Sequence, residues 1–438
     1  MKEKITIYTE SKFLPEKQYT FHVIFHEILG IDYELFDTSV SQVYKIVFPM
    51  GNFIEIKDDF FCNIPESISY CDRRFLPQRL IQLKTDEEGE TMPFLYGNNV
   101  FTKHQNSLYC GGDLFGTAFF MLSRWEEYVA ESYDRWGRFP EEDSCAVKFG
   151  LIKQPIVHVY AEFIRRIAAE YGLEIPVLHS YKKTLTHDVD YLLKWFKTSD
   201  FVKSCLGDLF RRFSLKSLKN TIELHNRNQD PYDVYDMLMS LSEQAGEKST
   251  FYFLNTKMNA WCLSTDRGKQ IVSNILARKH EVGIHNNYFL EKDTDKIATD
   301  IQFYEATLGQ KLTRNRQHYL KVRMPQTMRA LEQNNILQDS SLYFSHHIGF
   351  RTGMCIEHSL FDCEKRCQMK IKELPLTLMD VTLQHARNYD EAIAWVDSLI
   401  KMVKKYHGNF VCLWHNSSFN AKEWNYLDGV YEHIVKTK

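Results

Sequence analysis

The sequence predicts an α/β protein: a parallel sheet or (β/α) barrel in its C-terminal part, preceded by a smaller α+β domain. From about residue 180 onward, short apolar runs alternate with helical patterns, which is typical of parallel strands joined by crossover helices. Up to about residue 150, strand-like and helical patterns are mixed instead. Because a chain of 438 residues is long enough for two well-buried cores, we predict domains at residues 1–150 and 181–438, joined by a helix within 151–180.

The N-terminal domain is predicted to combine short strands with amphipathic helices. Strand-like runs lie at residues 5–8, 43–48 and 53–56. Apolar residues recur at helical spacing over residues 19–29, 113–128 and 155–171. Asp113 is a suitable N-cap for the second of these helices, and Pro155 suits the first turn of the third. Three charged residues of the second helix are interpreted as surface or interdomain ion pairs: Arg124, Glu126 and Glu127.

The C-terminal domain is predicted to contain at least five strands with helices between them. The strand-like runs lie at residues 183–186, 249–254, 281–284, 313–319 and 410–414. Helical patterns cover residues 232–244, 265–279 and 390–406. In a parallel sheet or (β/α) barrel, the functional site is expected at the carboxyl ends of the strands.

A helical segment rich in both basic and apolar residues interrupts this alternation near residues 197–228. One interpretation is an amphipathic helix pair that packs on the barrel and leaves a solvated basic face. The other is a lid, or a surface within residues 201–220 that contacts anionic lipid or a phosphate-bearing substrate. Both interpretations remain open at the level of the sequence.

Composition and charge argue against several classes of protein. A net charge of −3 gives no general reason to expect a nucleic-acid partner. Neither the N-terminus nor any later run has the apolar length of a signal peptide or a membrane-spanning helix. The ten cysteines are scattered without C-x-x-C pairs, as expected of free thiols in a reducing compartment. We therefore expect a cytoplasmic protein.

The first candidate site residues are Asp188 and Asp190, at the end of the first strand of the C-terminal domain. Residues spaced i and i+2 on a strand point to the same side of the sheet. Alone, this pattern is more often a helix cap or a solvated turn. It also suits a site in which one carboxylate holds a metal and the other takes a proton from water.

Three further strand ends also carry ionisable side chains. His285 follows the strand at 281–284, and His415 follows the strand at 410–414. Arg316 and His318 lie two residues apart on another strand, so both are expected to face the same side. A ring of Asp, His and Arg side chains at four strand ends favours a functional site over four unrelated structural roles.

With these residues, the C-terminal domain resembles the polysaccharide deacetylase superfamily (carbohydrate esterase family 4, nodulation-protein-B-like). The matching motifs are residues 186–190 (THDVD), 283–285 (GIH), Arg316 and residues 413–415 (LWH). Features typical of a divergent branch found in bacterial surface-polysaccharide gene clusters are residues 316–320, 339–341 and 349–351. The N-terminal companion domain of that branch is similar to this chain at residues 119–128 and 137–140. The resemblance implies a distorted (β/α) barrel preceded by this extra domain.

The resemblance also implies roles for individual residues. Asp188 would be the catalytic base and His415 the general acid, while Arg316 would orient Asp188. Asp190 and His285 would be metal ligands, and a bound divalent metal would polarise the acetamide carbonyl and activate water.

The metal site departs from the family pattern at one position. Members usually have a second histidine four residues after the first in the second motif, and here that position is Phe289. Because zinc prefers at least three protein ligands, another side chain is needed. The same-face position of His318 makes it our predicted third ligand, ahead of His346 and His347.

We therefore predict a metal-dependent hydrolase that holds one Zn²⁺ per chain. It would remove acetyl from an N-acetylated sugar or polysaccharide precursor, linked either to a nucleotide or to a lipid. The replacement at Phe289 motivates an alternative, a non-catalytic carbohydrate-binding or scaffolding member of a polysaccharide biosynthesis system. A third, weaker hypothesis is an O-acetyl esterase, since the same groups could hydrolyse an ester.

Overall fold

Two sheets organise the protein, one in each half of the chain. The computed structural model describes residues 4–38, 42–85, 91–287, 294–420, 427 and 429–437. A six-stranded sheet lies in the N-terminal half and a nine-stranded sheet in the C-terminal half, and a separate two-stranded pair accompanies the first. The chain is therefore a mixed α/β protein, as the sequence predicts.

The N-terminal strands are short and mostly alternate buried with exposed residues. They are β1 (Ile5–Thr9), β2 (Tyr33–Asp37), β3 (Val43–Val47), β4 (Phe53–Lys57), β5 (Ile81–Lys84), β6 (Thr91–Phe94), β7 (Gly97–Lys103) and β8 (Ser107–Gly112). The six-stranded sheet has the order β2-β1-β3-β4-β8-β7, and β5 pairs with β6. Along β1, for example, Ile5 and Ile7 are buried whereas the residues between them are partly exposed, which is the pattern of a half-buried strand.

The N-terminal helices cover one side of this core. They are α1 (Leu14–Phe21), which continues as a π-helical segment (His22–Ile28), then α2 (Leu114–Ser123), α3 (Trp125–Tyr128), α4 (Cys145–Lys148) and α5 (Ile156–Glu170). Asp113 caps α2, because its Oδ1 accepts a hydrogen bond of 2.7 Å from the amide of Gly116. The single helix predicted over 113–128 is wrong: the chain breaks at Arg124, whose φ of 53° is left-handed.

The break at Arg124 allows a buried ion network between the two halves of the chain. Arg124 Nε donates to Glu127 Oε1 (2.9 Å), and the same oxygen accepts from Arg351 Nη2 (2.7 Å). Arg124 Nη1 also donates to the carbonyl of Arg351 (3.0 Å), and Glu126 is a further ion partner of Arg124. Because these side chains are buried, the interpretation as surface ion pairs is wrong and the interdomain alternative describes them.

The strands of the C-terminal half form one mainly parallel sheet. They are β9 (Lys182–Val189), β10 (Ser249–Leu254), β11 (Glu281–Asn286), β12 (Arg314–Gln317), β13 (Gln338–Asp339), β14 (His358–Asp362), β15 (Cys367–Glu373), β16 (Leu378–Met379) and β17 (Asn409–Leu413). Their order is β14-β15-β13-β12-β11-β10-β9-β17-β16, and β14 is antiparallel to β15. Among the strands that the structure describes, no pairing joins β14 to β16, so a closed barrel is not formed by hydrogen-bonded strands.

The helices of the C-terminal half mostly connect these strands. They are α6 (Thr198–Leu206), α7 (Leu215–Asn226), α8 (Tyr235–Gln244), α9 (Lys257–Ser264), α10 (Asp266–Ala277), α11 (Thr294–Leu308), α12 (Gln326–Gln333), α13 (Asp380–Leu383), α14 (Tyr389–Lys405) and α15 (Val430–Lys436). A π-helical segment (Gly207–Arg211) lies between α6 and α7, within the basic segment predicted from the sequence. Of all the helices described, none has both the length and the apolar character needed to cross a membrane.

Candidate metal centre and active site

The order of the sheet brings the predicted site residues to one edge. Strands β9, β10, β11 and β12 are parallel neighbours, and β17 lies on the other side of β9. The register places His285 of β11 directly opposite Arg316 of β12. Asp190 follows β9 immediately, and His415 lies two residues after the end of β17. The carboxyl ends of these five strands therefore meet at one place, as expected for a parallel sheet.

Asp190, His285 and His318 form a candidate metal-binding cluster. One ligand atom from each residue lies within 4.8 Å of the other two. Asp190 Oδ1 is 3.5 Å from His285 Nε2 and 3.7 Å from His318 Nε2. This oxygen is buried yet makes no hydrogen bond to any part of the chain that the structure describes. A buried carboxylate oxygen of this kind needs a partner, and a cation between the three side chains would supply it.

Hydrogen bonding fixes which nitrogen of His285 faces the cluster. Its Nδ1 lies 2.8 Å from the main-chain oxygen of Arg316, and a carbonyl can only accept. Nδ1 therefore carries a proton, and in the neutral imidazole the lone pair of Nε2 is directed at Asp190. A backbone carbonyl that orients a histidine in this way is a common support for metal-ligating imidazoles.

The electrostatics of the cluster favour the ligand forms of the other two side chains. Burial alone would raise the pKa of Asp190, but His285, His415 and His318 outweigh that effect and lower the pKa well below its ordinary value. Burial, together with the neighbouring His285, lowers the pKa of His318 to about 4. At neutral pH the centre therefore offers a carboxylate and a neutral imidazole, the forms that bind metals.

The donor set and its spacing fit zinc. Ligand atoms around one tetrahedral zinc ion, at bond lengths of about 2.0–2.1 Å, are about 3.3 Å apart. The separations of 3.5 and 3.7 Å from Asp190 Oδ1 are close to that value. Two nitrogens and one oxygen from the protein, with a fourth position left open, is the usual composition of a catalytic zinc site.

Asp188 lies beside this cluster and is held by Arg316. Arg316 Nη1 donates to Asp188 Oδ1 at 3.0 Å and to the hydroxyl of Thr186 at 2.8 Å. The guanidinium is fixed in turn by Ser340, whose main-chain oxygen and hydroxyl accept from Nε (2.9 Å) and Nη2 (2.8 Å). All these side chains are buried. Asp188 Oδ2, which is 3.6 Å from His285 Nε2, is thereby turned toward the cluster.

His415 is paired with Asp380, a residue that the sequence did not single out. His415 Nδ1 lies 2.9 Å from Asp380 Oδ1, and the amide of His415 donates to Asp380 Oδ2 at 2.8 Å. Ser418 donates a further hydrogen bond to the same oxygen (2.7 Å). Burial would lower the pKa of His415, but the attraction of Asp380 dominates and raises it to about 10. His415 is therefore a protonated imidazolium at neutral pH.

A cleft of about 760 Å³ opens over these residues, and the N-terminal half forms part of its wall. Residues between 134 and 142 line it, together with Tyr319 and His385. The rings of Trp136 and Tyr319 stack with centroids 4.6 Å apart and an interplanar angle of 14°. Arg138 connects this loop to the C-terminal half, because it donates a hydrogen bond to Ser345 Oγ (3.1 Å). Within the loop, Arg138 also forms an ion pair with Asp134.

Sequence reasoning missed this contribution of the N-terminal half. The polar turn at residues 134–137 shows no strand or helix pattern, and none of its residues is among the predicted site residues. The signal that could have identified it is the tryptophan within the turn, because an aromatic residue in a polar loop is a frequent binding group.

Two further histidines weighed as metal ligands lie elsewhere in the cleft region. His346 Nδ1 is 3.3 Å from Glu141 Oε1, and His347 Nε2 is 4.0 Å from Glu141 Oε2. Neither belongs to the Asp190 cluster, which was sought only among the described residues. Phe289, at the position where the family pattern has a histidine, lies outside the residues that the structure describes.

Comparison with known proteins gives a family match for the N-terminal half only. A family model described as a family of unknown function (DUF7033) matches residues 5–171. No curated protein sequence matches the chain.

Several solved structures are similar to roughly three fifths of the chain at low identity. A candidate polysaccharide deacetylase from Mycobacterium smegmatis is 15% identical, with 61% of this chain and 87% of that chain covered and a TM-score of 0.39. A family 4 carbohydrate esterase from Streptomyces lividans, in complex with acetate, is 10% identical over 59% and 87%, with a TM-score of 0.28. A pseudoenzyme of the same family from Bacillus anthracis is 10% identical over 58% and 60%, with a TM-score of 0.31. These scores are too low to transfer a function, so the chemistry of the site rests on its own geometry.

Proposed function

We propose that this protein is a metal-dependent hydrolase that removes the acetyl group from an N-acetylated sugar or a polysaccharide precursor. The observation that carries the proposal is the grouping of three candidate metal ligands, Asp190, His285 and His318, beside Asp188 and His415. One side chain that accepts a proton and another that donates one thus flank a centre that can bind a cation. Metal-dependent hydrolysis of an amide by water uses these three functions together.

The first function belongs to the metal. A divalent ion held by Asp190, His285 and His318 supplies Lewis acidity, which polarises a carbonyl group and lowers the pKa of water. Zinc suits two imidazoles and one carboxylate better than magnesium or calcium, which prefer oxygen ligands throughout.

Asp188 is the group that takes a proton from the attacking water. Arg316 occupies Oδ1 through a hydrogen bond of 3.0 Å, so Oδ2 is the oxygen available to the proton. Because the guanidinium is itself held by Ser340, the carboxylate is oriented before substrate binds. Orientation of this kind removes an entropic cost from the chemical step.

His415 supplies the proton that the leaving nitrogen needs. Its Nδ1 is engaged by Asp380, so the free Nε2 carries the transferable proton. Water adds to the carbonyl carbon, the carbon–nitrogen bond breaks, and the nitrogen leaves as an amine after it has received this proton. The products are acetate and an amino sugar.

The cleft has features that suit a sugar. The stacked pair Trp136 and Tyr319 presents aromatic surface beside the candidate metal centre, and Asp134 and Glu141 add polar groups. A mixture of aromatic faces and a few polar groups is typical of sites that bind small polar ligands. Whether the sugar is linked to a nucleotide or to a lipid is part of the proposal that substrate trials must decide.

Measurements of metal content and acetate release distinguish this proposal from the two alternatives, a carbohydrate-binding protein and an O-acetyl esterase. A non-catalytic carbohydrate-binding protein was motivated by the loss of a ligand at Phe289, and the position of His318 weakens that motivation. An O-acetyl esterase would use the same groups on an ester. Purified protein should contain about one zinc per chain and release acetate from acetamido sugars or their oligomers. Chelation should abolish that release, and added Zn²⁺ or Co²⁺ should restore it.

The controls distinguish the three hypotheses. Protein that contains no metal and releases no acetate, yet binds sugar, would contradict the enzymatic proposal and favour the binding protein. Release of acetate from O-acetylated sugars but not from matched N-acetylated sugars would favour the esterase.

A further inference from the structure

The insertion formed by α6, the π-helical segment and α7 has an inverted distribution of polar and apolar residues. Its most buried side chains are polar: Asp208, Ser217 and Thr221. Thr221 Oγ1 donates to Asp208 Oδ2 at 2.6 Å, and Arg212 Nη1 donates to Asp208 Oδ1 at 2.8 Å. The two helical parts of the insertion are thus joined by a small polar centre rather than by an apolar core.

Several large apolar side chains of the same insertion are exposed to solvent. Phe213 is 84% exposed, Leu215 is 74% exposed and Phe210 is 65% exposed. Val202, Leu206 and Leu209 are exposed as well. Single exposed apolar residues are ordinary, but six of them within residues 202–215 are typical of a binding surface. We call Phe210, Phe213 and Leu215 the apolar tip.

Basic residues flank the apolar tip in the sequence. Residues 197–228 carry seven Lys or Arg and three Asp or Glu, which gives this segment a net charge of +4 in a chain of net charge −3. Arg211 lies between two residues of the tip in the sequence, and Lys216 follows it directly; both are exposed. A partner that binds the tip must therefore contact its apolar side chains and also carry negative charge that attracts the basic residues.

The insertion is anchored at the edge of the sheet that carries the candidate active site. Helix α6 begins at Thr198, eight residues after Asp190. Trp195 Nε1 donates to Ser204 Oγ at 2.9 Å, and the ring of Phe201 stacks on His225 with centroids 3.8 Å apart. These contacts hold α6 and α7 together at their base and leave the tip as the distal part.

We propose that the apolar tip inserts into the surface of a bilayer that contains anionic phospholipids. Helices that lie at membrane surfaces combine exposed Phe and Leu with Lys and Arg, because the apolar groups enter the acyl boundary while the cations contact headgroup phosphates. A second copy of this chain fits less well, since a symmetric contact would bring two segments of charge +4 together. The proposal is independent of the proposed hydrolase function, because its test measures binding rather than turnover.

Sedimentation with vesicles tests the surface directly. The full chain should bind vesicles of phosphatidylcholine with phosphatidylglycerol, bind phosphatidylcholine alone much more weakly, and dissociate as salt is raised. The double variant Phe210→Ser/Phe213→Ser should bind roughly tenfold or more weakly, because it removes two side chains that would leave water. The double variant Lys216→Glu/Lys219→Glu should also bind about tenfold or more weakly, but only to the anionic vesicles.

A matched control and a second measurement make the outcome decisive. Phe303→Ser removes an aromatic side chain that is 49% exposed on α11 and should leave vesicle binding unchanged. Circular dichroism of each variant verifies that the fold is retained. Equal binding to neutral and anionic vesicles, or binding that the tip variants do not reduce, would overturn the proposal. Absence of binding to either vesicle, together with a dimer in solution that Phe210→Ser/Phe213→Ser dissociates, would overturn it in favour of a second copy.

Discussion

Nδ1 of His415 lies 2.9 Å from Oδ1 of Asp380, whose carboxyl is fully buried while the imidazole is partly exposed to the cleft. The carboxylate accepts from four donor groups: the ring Nδ1 and the amide of His415, the amide of Val381 and the hydroxyl of Ser418. This pairing determines the charge of His415 and so its ability to give up a proton. It also leads to the first prediction.

Asp380→Asn should lower the pKa of His415 from about 10 toward its ordinary value of about 6.5, because the main attraction is lost and only Asp190 and Asp188 still oppose the effect of burial. In the wild type, the protonated histidine stabilises the fold fully below about pH 6.5, and this stabilisation is lost as pH rises through about 10. In Asp380→Asn, this stabilisation by protonated His415 should be lost at a lower pH. An NMR titration of His415 in the metal-free protein measures the shift, and an unchanged pKa would remove Asp380 from this role.

The same substitution should change the pH dependence of acetate release. Turnover by the wild type should persist through neutral pH into the alkaline range, since the general acid remains protonated. In Asp380→Asn the alkaline limb should move down toward neutral pH. Identical pH–rate profiles for the two proteins would mean that His415 is not the proton donor.

Asp188→Asn should reduce turnover by about 10²- to 10⁴-fold, the usual contribution of a general base. Asparagine keeps the shape of the side chain and can still accept from Arg316, so the metal centre should be preserved. Steady-state kinetics and metal content per chain, measured on the same sample, check both parts. Turnover close to the wild-type rate would exclude Asp188 as the base.

His318→Ala should lower zinc affinity by about a hundredfold or more, since it removes one of three protein ligands. His347→Ala is the matched control, because that histidine lies beside Glu141 outside the cluster. Titration of each apo-protein with Zn²⁺ against a competing chelator gives the two affinities. Equal affinities in His318→Ala and in the wild type would return His318 to a structural role.

Trp136→Ala should raise KM for an acetamido sugar roughly three- to tenfold and leave kcat nearly unchanged. The variant would lose an aromatic contact worth about 1 kcal/mol, and it would lose this contact equally in the ground state and in the transition state. Tyr133→Ala is the control: that exposed ring precedes the loop and is not among the residues described as lining the cleft. Kinetics with both variants show whether the N-terminal half takes part in substrate binding. An effect on kcat alone would argue instead for a change in the metal centre.

Much of the fold could be predicted because it depends on local pattern. Strand β10 occupies residues 249–254, as the run of apolar and β-branched residues predicted. Strand β11 extends two residues beyond its prediction and so contains His285. The short strands β13 and β16 were not predicted, because two residues carry no recognisable periodicity and pair only through their neighbours.

The candidate site was predictable where its residues lie at strand ends and less so elsewhere. Period-two spacing placed Arg316 and His318 on one side, even though the strand ends at Gln317 and His318 begins a 3₁₀ turn. Asp380 could not be found this way, since it follows a two-residue strand and its partner His415 lies 35 positions later in the chain, beyond α14 and β17. Arg124 looked like an ordinary helical charge, because nothing local indicates that its backbone is left-handed and its side chain buried.

The hydrogen bond from His285 Nδ1 to the main-chain oxygen of Arg316 crosses a single rung of the sheet, where the two residues are direct partners. One rung therefore carries both a proposed metal ligand and the residue that holds the proposed base. A slip of β12 by one residue against β11 would turn Arg316 away from Asp188 and displace the carbonyl that orients His285. The metal-binding half and the proton-transfer half of the site are thus assembled by the same pairing event during folding, and neither can be repositioned without the other.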